Sequence, residues 1–307
     1  MKSIVERILS EIGDKELLNK LLSLSKSDFN SLMLKVYHTY SCKTKPQEVL
    51  KSFDVNRFSV PSEVDAVKYH TLETELLAQA QKNEIWSIVL SPAAPLSSCS
   101  AFGYVDQNNV VSALRGTEIL SDPTNMLAII IANKLKSGEV DNNNQLHYCT
   151  TARVLRAQAF PAMRGYYAHF GLFCIVSSGK DVGSYECEQA LFIKHLEYYN
   201  SFFKDKYNAG LSIVLSKRRG YKDVDGFYSK MTDVIHNTFS QASLSFDTTD
   251  ESNNYYKGIN FKIYIKTEND LIEIGDGGFV DWTQEMLGSK KERCLISCVA
   301  LDRLLMV

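Results

Sequence analysis

The sequence predicts an α+β fold: an antiparallel β-sheet flanked by helices, preceded by a small helical N-terminal segment. Three observations point to it. Residues 1–55 repeat Ile, Leu and Val at i, i+3 and i+4, the spacing of one helical face. From Trp86 the texture changes to β-rich runs with helices inserted between them. The runs then cluster from the middle of the chain to its C-terminus, the order of an antiparallel sheet with helices packed on one face. Residues 1–62 are read as the helical segment and residues 63–307 as one mixed domain.

The elements follow in order. "SIVERILSEI" and "KELLNKLLSLS" are short amphipathic helices, and Ser27 and Asp28 offer a cap for a third at "DFNSLMLKVYHTY". Helix restarts after Pro46. Ser62 is placed to cap the long helix "EVDAVKYHTLETELLAQAQKN". "IWSIVLSP" is a β run ended by Pro92, and "NVVSALRG" a second strand. In "SDPTNMLAIIIANKLKSG", Asp122 or Ser121 caps a helix, Pro123 takes its first position and Gly138 closes it. "QLHYCTTARVLRAQAF" and "YYAHFGLFCIVSS" form a long hairpin whose turn holds Pro161 and Gly165. Helix "SYECEQALFIKHLEYYNSFFKD", strand "LSIVLSKRR" and helix "DVDGFYSKMTDVIHNTF" come next. Strands "YYKGINFKIYI" and "DLIEIGDGG" follow, and "CLISCVALDRLLMV" passes from strand directly into helix.

Composition excludes several classes. Lys and Arg total 34 against 36 Asp and Glu, a net charge of -2, so no bulk positive field draws the chain onto DNA or anionic lipid. "SKRRGYK" is its one basic cluster and reads more readily as a solvated strand end than as an RNA grip. The longest apolar run, "MLAIIIA", is too short to span a bilayer. The N-terminus carries acids throughout and lacks the apolar core of a secretion signal. Seven cysteines without a CxxC fit reduced thiols in a cytoplasm.

One stretch asks for more than a structural strand. "YYKGINFKIYI" begins with two tyrosines and a glycine, and "GDGGFVDW" follows with paired glycines that read as a turn. Tyrosine hydroxyls over a ligand, and glycines where backbone must come close, suit a pocket floored by a sheet. Taken by themselves, the tyrosines are also ordinary strand residues and Gly277-Gly278 an ordinary hairpin turn.

Together these segments resemble the catalytic core of the class II aminoacyl-tRNA synthetases, the histidyl branch in particular, over residues 65–307. "ETELLAQAQKNEIWSIVLSPAAPL" has the form of that class's first motif, a helix and a proline-ended strand used as a dimer interface, with Pro92 at the key place. "VLRAQ" is similar to the second, with Arg156 retained and Gln158 where Glu is usual. "VALDRLL" is similar to the third, with Arg303 retained and Asp302 for Glu. Tyr255, Tyr256, Gly258, Gly277, Gly278 and Asp281 match the two histidyl signatures, while Glu251 and Phe279 stand where those signatures carry arginine.

The resemblance implies ATP, with Mg2+, bent over an antiparallel sheet, its α-phosphate attacked by an amino-acid carboxylate. Arg156 would hold the α-phosphate and Arg303 would flank the adenine and meet the γ-phosphate. Tyr167 would lie under the adenine, and Gln158 would take its amino group. Glu118, Asp122, Thr124, His169, Tyr255, Tyr256, Gly277 and Gly278 would line the substrate side. Without that context an arginine on a hairpin is a solvated or salt-bridged residue, Arg303 a partner for a nearby acid, and a strand histidine structural. The polar run 97–118 is either a loop closing on a ligand through Ser98, Arg115 and Glu118 or a plain turn.

Two functions are implied. One is a paralogue that binds ATP and activates a carboxylate, an amino acid or another small molecule, as an adenylate. The other is a non-catalytic regulatory or ligand-sensing subunit, like that of ATP phosphoribosyltransferase. A homodimer is expected from the first motif. The chain stops just past the third, so tRNA binding through an anticodon domain is not expected, nor is a membrane or DNA partner.

Overall fold

A computed structural model describes residues 3–141, 143–159, 167–239, 242–247, 255–266 and 271–307. Four helices open the chain: α1 (Ile4–Ile12), α2 (Leu17–Leu22), α3 (Lys26–Ser41) and α4 (Pro46–Val55). Ser3 and Glu6 form a reciprocal capping box on α1, and Gly13 ends it in the left-handed region. Ser25, rather than Ser27 or Asp28, caps α3, because its hydroxyl reaches the Asp28 N–H three residues on. None of the four helices buries a residue. α5 (Ala66–Lys82) is capped by Asp65 through the Lys68 N–H, while Ser62 turns to the Val64 N–H instead.

The β run expected from Ile85 to Pro92 shortens to β1 (Trp86–Ser87). It pairs in parallel with a strand beyond it for two residues, after which the chain turns into β2 (Ala93–Pro95). The strand expected at "NVVSALRG" is displaced to β3 (Thr117–Ile119), since Arg115 and Gly116 turn left-handed at φ 67° and 69°. α6 (Pro123–Ser137) runs as expected, from an Asp122 cap to a left-handed Gly138. β4 (Leu146–Leu155) and β5 (His169–Lys180) are the hairpin arms; the turn with Pro161 and Gly165 lies outside the described residues. There follow α7 (Glu186–Tyr207), β6 (Ser212–Lys217), α8 (Val224–Thr238), β7 (Ser243–Asp247), β8 (Lys257–Lys266), β9 (Leu271–Val280), α9 (Trp282–Leu287), β10 (Glu292–Ala300) and α10 (Leu301–Leu304). β7 and α9, of five and six residues, were not marked in the sequence.

The main sheet has the order β1-β4-β5-β10-β9-β8-β6-β7. It is antiparallel in its interior, and its two edge pairs, β1 with β4 and β6 with β7, are parallel. Because side chains alternate across a strand, the register assigns each residue a face. Phe173, Ile175, Leu295, Val299, Phe261 and Ile263 point to the main core, where α5, α7 and α8 supply Leu76, Leu191, Phe192, Phe203 and Met231. A polar chain crosses this core: His147 Nδ1 lies 2.7 Å from Ser177 Oγ, which lies 2.8 Å from His195 Nε2. His195 Nδ1 meets Ser297 Oγ at 2.8 Å, and Tyr199 closes the chain at 2.8 Å from the same oxygen. Burial, then the Lys194 charge, pushes His147 down to about 4.

Candidate functional site

On the other face of the sheet, Thr150, Cys174, Cys298, Asp276 and Lys262 stand in one row across β4, β5, β10, β9 and β8. α6 and α9 close one end of this face, where Leu127, Ala128 and Ile131 pack with Val176, Ile296, Val280, Trp282 and Tyr256. The β2–β3 unit closes the other, setting Ala94 and Leu120 against Val154 and Leu172. Cys174 and Cys298 of the row pack into the β2–β3 cluster, Thr150 and Cys174 are buried, and Cys298, Asp276 and Lys262 are partly exposed.

Arg156, just past the end of β4, reaches toward the row. Its Nε donates to the Ser121 carbonyl at 3.1 Å and its guanidinium lies 5.2 Å from the Phe170 ring centre. Its Nη groups have no hydrogen-bond partner among the described residues. Asp122, the cap of α6, uses Oδ1 to accept from the Thr124 N–H and hydroxyl, and Oδ2 to accept from the Tyr255 hydroxyl at 3.4 Å. The Tyr256 hydroxyl donates to Asp276 Oδ2 at 2.8 Å. Burial raises the Asp276 carboxyl above the usual range; the Tyr256 bond opposes the shift, Asp122 adds to it and the Arg156 charge opposes it again. Burial, then Asp122, holds the Tyr255 hydroxyl protonated well above its ordinary range. Arg303 approaches the same strand three residues earlier, its Nη1 donating to the Glu273 carbonyl at 2.8 Å.

Thus Arg156, Asp122, Thr124, Tyr255 and Tyr256 come together at one place. Gly278 is there too, while Gly277 faces the main core; both are strand residues of β9 rather than a turn, opposite Ile296 and Ser297. Their reason is packing. A Cβ on Gly277 would meet the Phe261 ring at 2.5 Å, and one on Gly278 the Tyr256 ring at 2.5 Å. The space that a ligand was expected to use over Gly278 is therefore held by the tyrosine itself.

The other sequence-marked residues lie elsewhere. Glu118 is fully buried and accepts from Ser97 N, Ser98 Oγ, Cys99 N and Gln107 Nε2, so it organises the polar loop from within. Arg115 is exposed at the loop's tip, where its N–H meets Asn30 of α3. His169 points to the main-core face: Arg153 donates to its Nδ1 at 2.8 Å, and its Nε2 meets the Val60 carbonyl at 2.6 Å. The Tyr167 ring lies 6.2 Å from that imidazole. Gln158 offers its backbone carbonyl to Arg57 at 2.9 Å. Phe279 packs edge-on to Phe227 in the core, and Asp281 pairs with Lys257 at 3.1 Å. Glu251 is outside the described residues. A cleft of about 850 Å3 opens at the β1–β4 edge, lined by Glu84, Trp86, His147, Tyr148 and Lys194 and by none of these site residues.

Asp276, Cys174 and Cys298 are the site residues that sequence reasoning passed over. Asp276 had a signal, a carboxylate between glycines in "GDGG", which was obscured because paired glycines read as a turn. The cysteine pair had none, since only strand register brings positions 174 and 298 together.

No family model and no curated protein sequence matches the chain. Solved structures do match in fold. An ATP phosphoribosyltransferase regulatory subunit/histidyl-tRNA synthetase from Bacillus halodurans aligns with a TM-score of 0.63 at 11% identity, over 82% of each chain. Apo histidyl-tRNA synthetase from S. aureus aligns at 0.59 and 12% identity, over 80% of this chain and 69% of that one. A threonyl-tRNA synthetase from Aeropyrum pernix aligns at 0.61 and 11% identity, over 78% of this chain and 59% of that one. These likenesses show the fold: the chain has a class II aminoacyl-tRNA synthetase-like core.

Proposed function

We propose that this chain binds ATP on the open face of its sheet and uses it to activate the carboxylate of a small molecule, an amino acid being the first candidate. The observation that carries the reading is the Arg156 fork, fixed by Ser121 and Phe170 at one edge with its Nη groups left for an anion. A guanidinium so held offers two parallel donors to phosphate oxygens. In the proposed reaction a carboxylate oxygen attacks the α-phosphorus and pyrophosphate leaves. Arg156 neutralises charge growing on the α-phosphate, and Arg303 takes the far end of the nucleotide. Positioning and fixed charge supply the rate. Asp122 and Asp276, with the two tyrosine hydroxyls, form an acidic corner suited to the substrate's ammonium.

Among the described residues no three His, Cys, Asp or Glu side chains gather into a metal centre. Mg2+ is proposed to arrive on the nucleotide's own phosphates, as part of the substrate, and no step is routed through a resident ion. Trp86, Val89 and Leu96, in and beside the first motif, are 74%, 98% and 46% exposed, which supports a homodimer through that edge. No helix among the described residues is long and apolar enough to cross a membrane. All seven cysteines are free thiols, which supports a reducing, cytoplasmic setting.

The test is ATP–pyrophosphate exchange across a panel of amino acids, run beside ATP-binding calorimetry. Exchange with one acid establishes activation. ATP binding without exchange selects the ligand-sensing subunit, and absence of both removes the nucleotide from the account.

A further inference from the structure

We propose that Cys174 and Cys298 are a modification site, a thiol pair that a low-molecular-weight disulfide converts to a protein disulfide within the sheet. The two residues are directly opposite on neighbouring antiparallel strands, β5 and β10. Such pairs hold their Cα atoms about 4.5 to 5.5 Å apart, inside the roughly 4.4 to 6.8 Å that a disulfide spans. Their Sγ atoms lie 2.8 Å apart and share a hydrogen bond. Closing the bond therefore asks for side-chain rotation and no movement of the strands. No other two cysteines are bonded to each other among the described residues.

Accessibility gives the reaction an order. Cys298 is partly exposed and Cys174, beside it on the same face, is buried. The Cys298 thiolate attacks one sulfur of oxidised glutathione, the glutathione S–S bond breaks, and one glutathione thiolate leaves. The Cys174 thiolate then attacks the Cys298 sulfur and expels the second glutathione thiolate. Two protein thiols lose two electrons, one small disulfide gains them, and the two thiol protons pass to the released glutathiones. The shared hydrogen bond and burial hold the Cys298 thiol protonated well above its ordinary range, and burial raises Cys174 as well. Exchange is therefore slow at neutral pH and speeds about tenfold per pH unit as the thiolate fraction grows. Cys298 also faces Asp276 in register on β9, so the bond forms in the floor of the candidate site.

The experiment uses the intact chain with oxidised glutathione at pH 8.5, followed by acid quench, alkylation and peptide mapping. The expected result is a Cys174–Cys298 cross-linked peptide, with two thiols fewer than the seven of the reduced chain and full recovery after dithiothreitol. In Cys174→Ser the first step has no successor, so glutathione accumulates on Cys298. A wild-type chain that carries glutathione on Cys298 with Cys174 still alkylatable overturns the proposal. So does one in which the exposed Cys42 reacts and neither sheet cysteine does. Neither readout depends on whether ATP binds.

Discussion

At the scale of single residues, the proposed reaction rests on Arg156 for the phosphates and on Asp276 for the substrate's ammonium. Burial makes the folded Asp276 carboxyl hold its proton more tightly than the unfolded chain does. Its contribution to stability is thus present in acid and lost as pH rises through the folded pKa. Asp276→Asn is expected to raise Tm at pH 7, and the gain should vanish near pH 3, where both states of the wild type are protonated. Thermal melts at the two pH values check this, and equal melting of both proteins at pH 7 would count against it. Arg156→Lys keeps the charge and loses the fork, so ATP affinity should fall roughly 10- to 100-fold, read by calorimetry. The place of Arg156 just past the end of a strand was legible in the sequence from its motif; its role stays with the proposal. Glu118 was not legible as a loop organiser, because four donors converge on it from 97 to 107 only after the chain has folded back.

At the scale of elements, strands and helices with strong periodicity or clear caps came through, as α6 shows with Asp122, Pro123 and Gly138. β1 and β3 did not. Their lengths are decided by partners, two paired residues for β1 and a left-handed turn before β3, and neither is a local property. The glycines of β9 were read as a turn because their use depends on Phe261 and Tyr256 arriving from β8 and the residues before it. Gly278→Ala would press a methyl against the Tyr256 ring and the Ile259 carbonyl. It should cost about 2 kcal/mol in denaturant unfolding, with the far-UV spectrum retained. The His147–Ser177–His195 chain, half-buried at His147 and buried beyond it, predicts acid sensitivity. The His147 pKa lies below its unfolded value, so its stabilisation is complete above about 6.5 and is lost as pH falls toward about 4, some 3 kcal/mol at most. His147→Gln should flatten the stability profile across that interval.

At the scale of the whole molecule, the eight-stranded sheet carries two different surfaces. One is closed by α5, α7 and α8 over an aromatic core; the other carries Thr150, Cys174, Cys298, Asp276 and Lys262 in a row that the β2–β3 unit partly covers. The α+β class and the helical N-terminus were readable from texture, because amphipathic period and β-rich runs are local signals. The parallel edge pairs and the face on which His169 lies were not, since both depend on register between strands far apart in sequence. α1 to α4 bury no residue and are tied to the body by the Arg115 N–H bond to Asn30, while Arg57 and Val60 join the remaining chain by hydrogen bonds to the 157–158 carbonyls and to His169. A chain beginning at Asn56 is therefore expected to melt within about 3 °C of the full one, and a larger drop in calorimetry would show that the helices support the sheet.

On the proposed reading, Arg156 presents its guanidinium to a nucleotide over the row. Titration of ATP with Mg2+ into the wild type and into Arg156→Ala measures it most directly. A saturable heat with one site per chain, abolished in the variant while the melting curve is unchanged, is the predicted result. Equal ATP binding by both proteins, or none by the wild type, would contradict it.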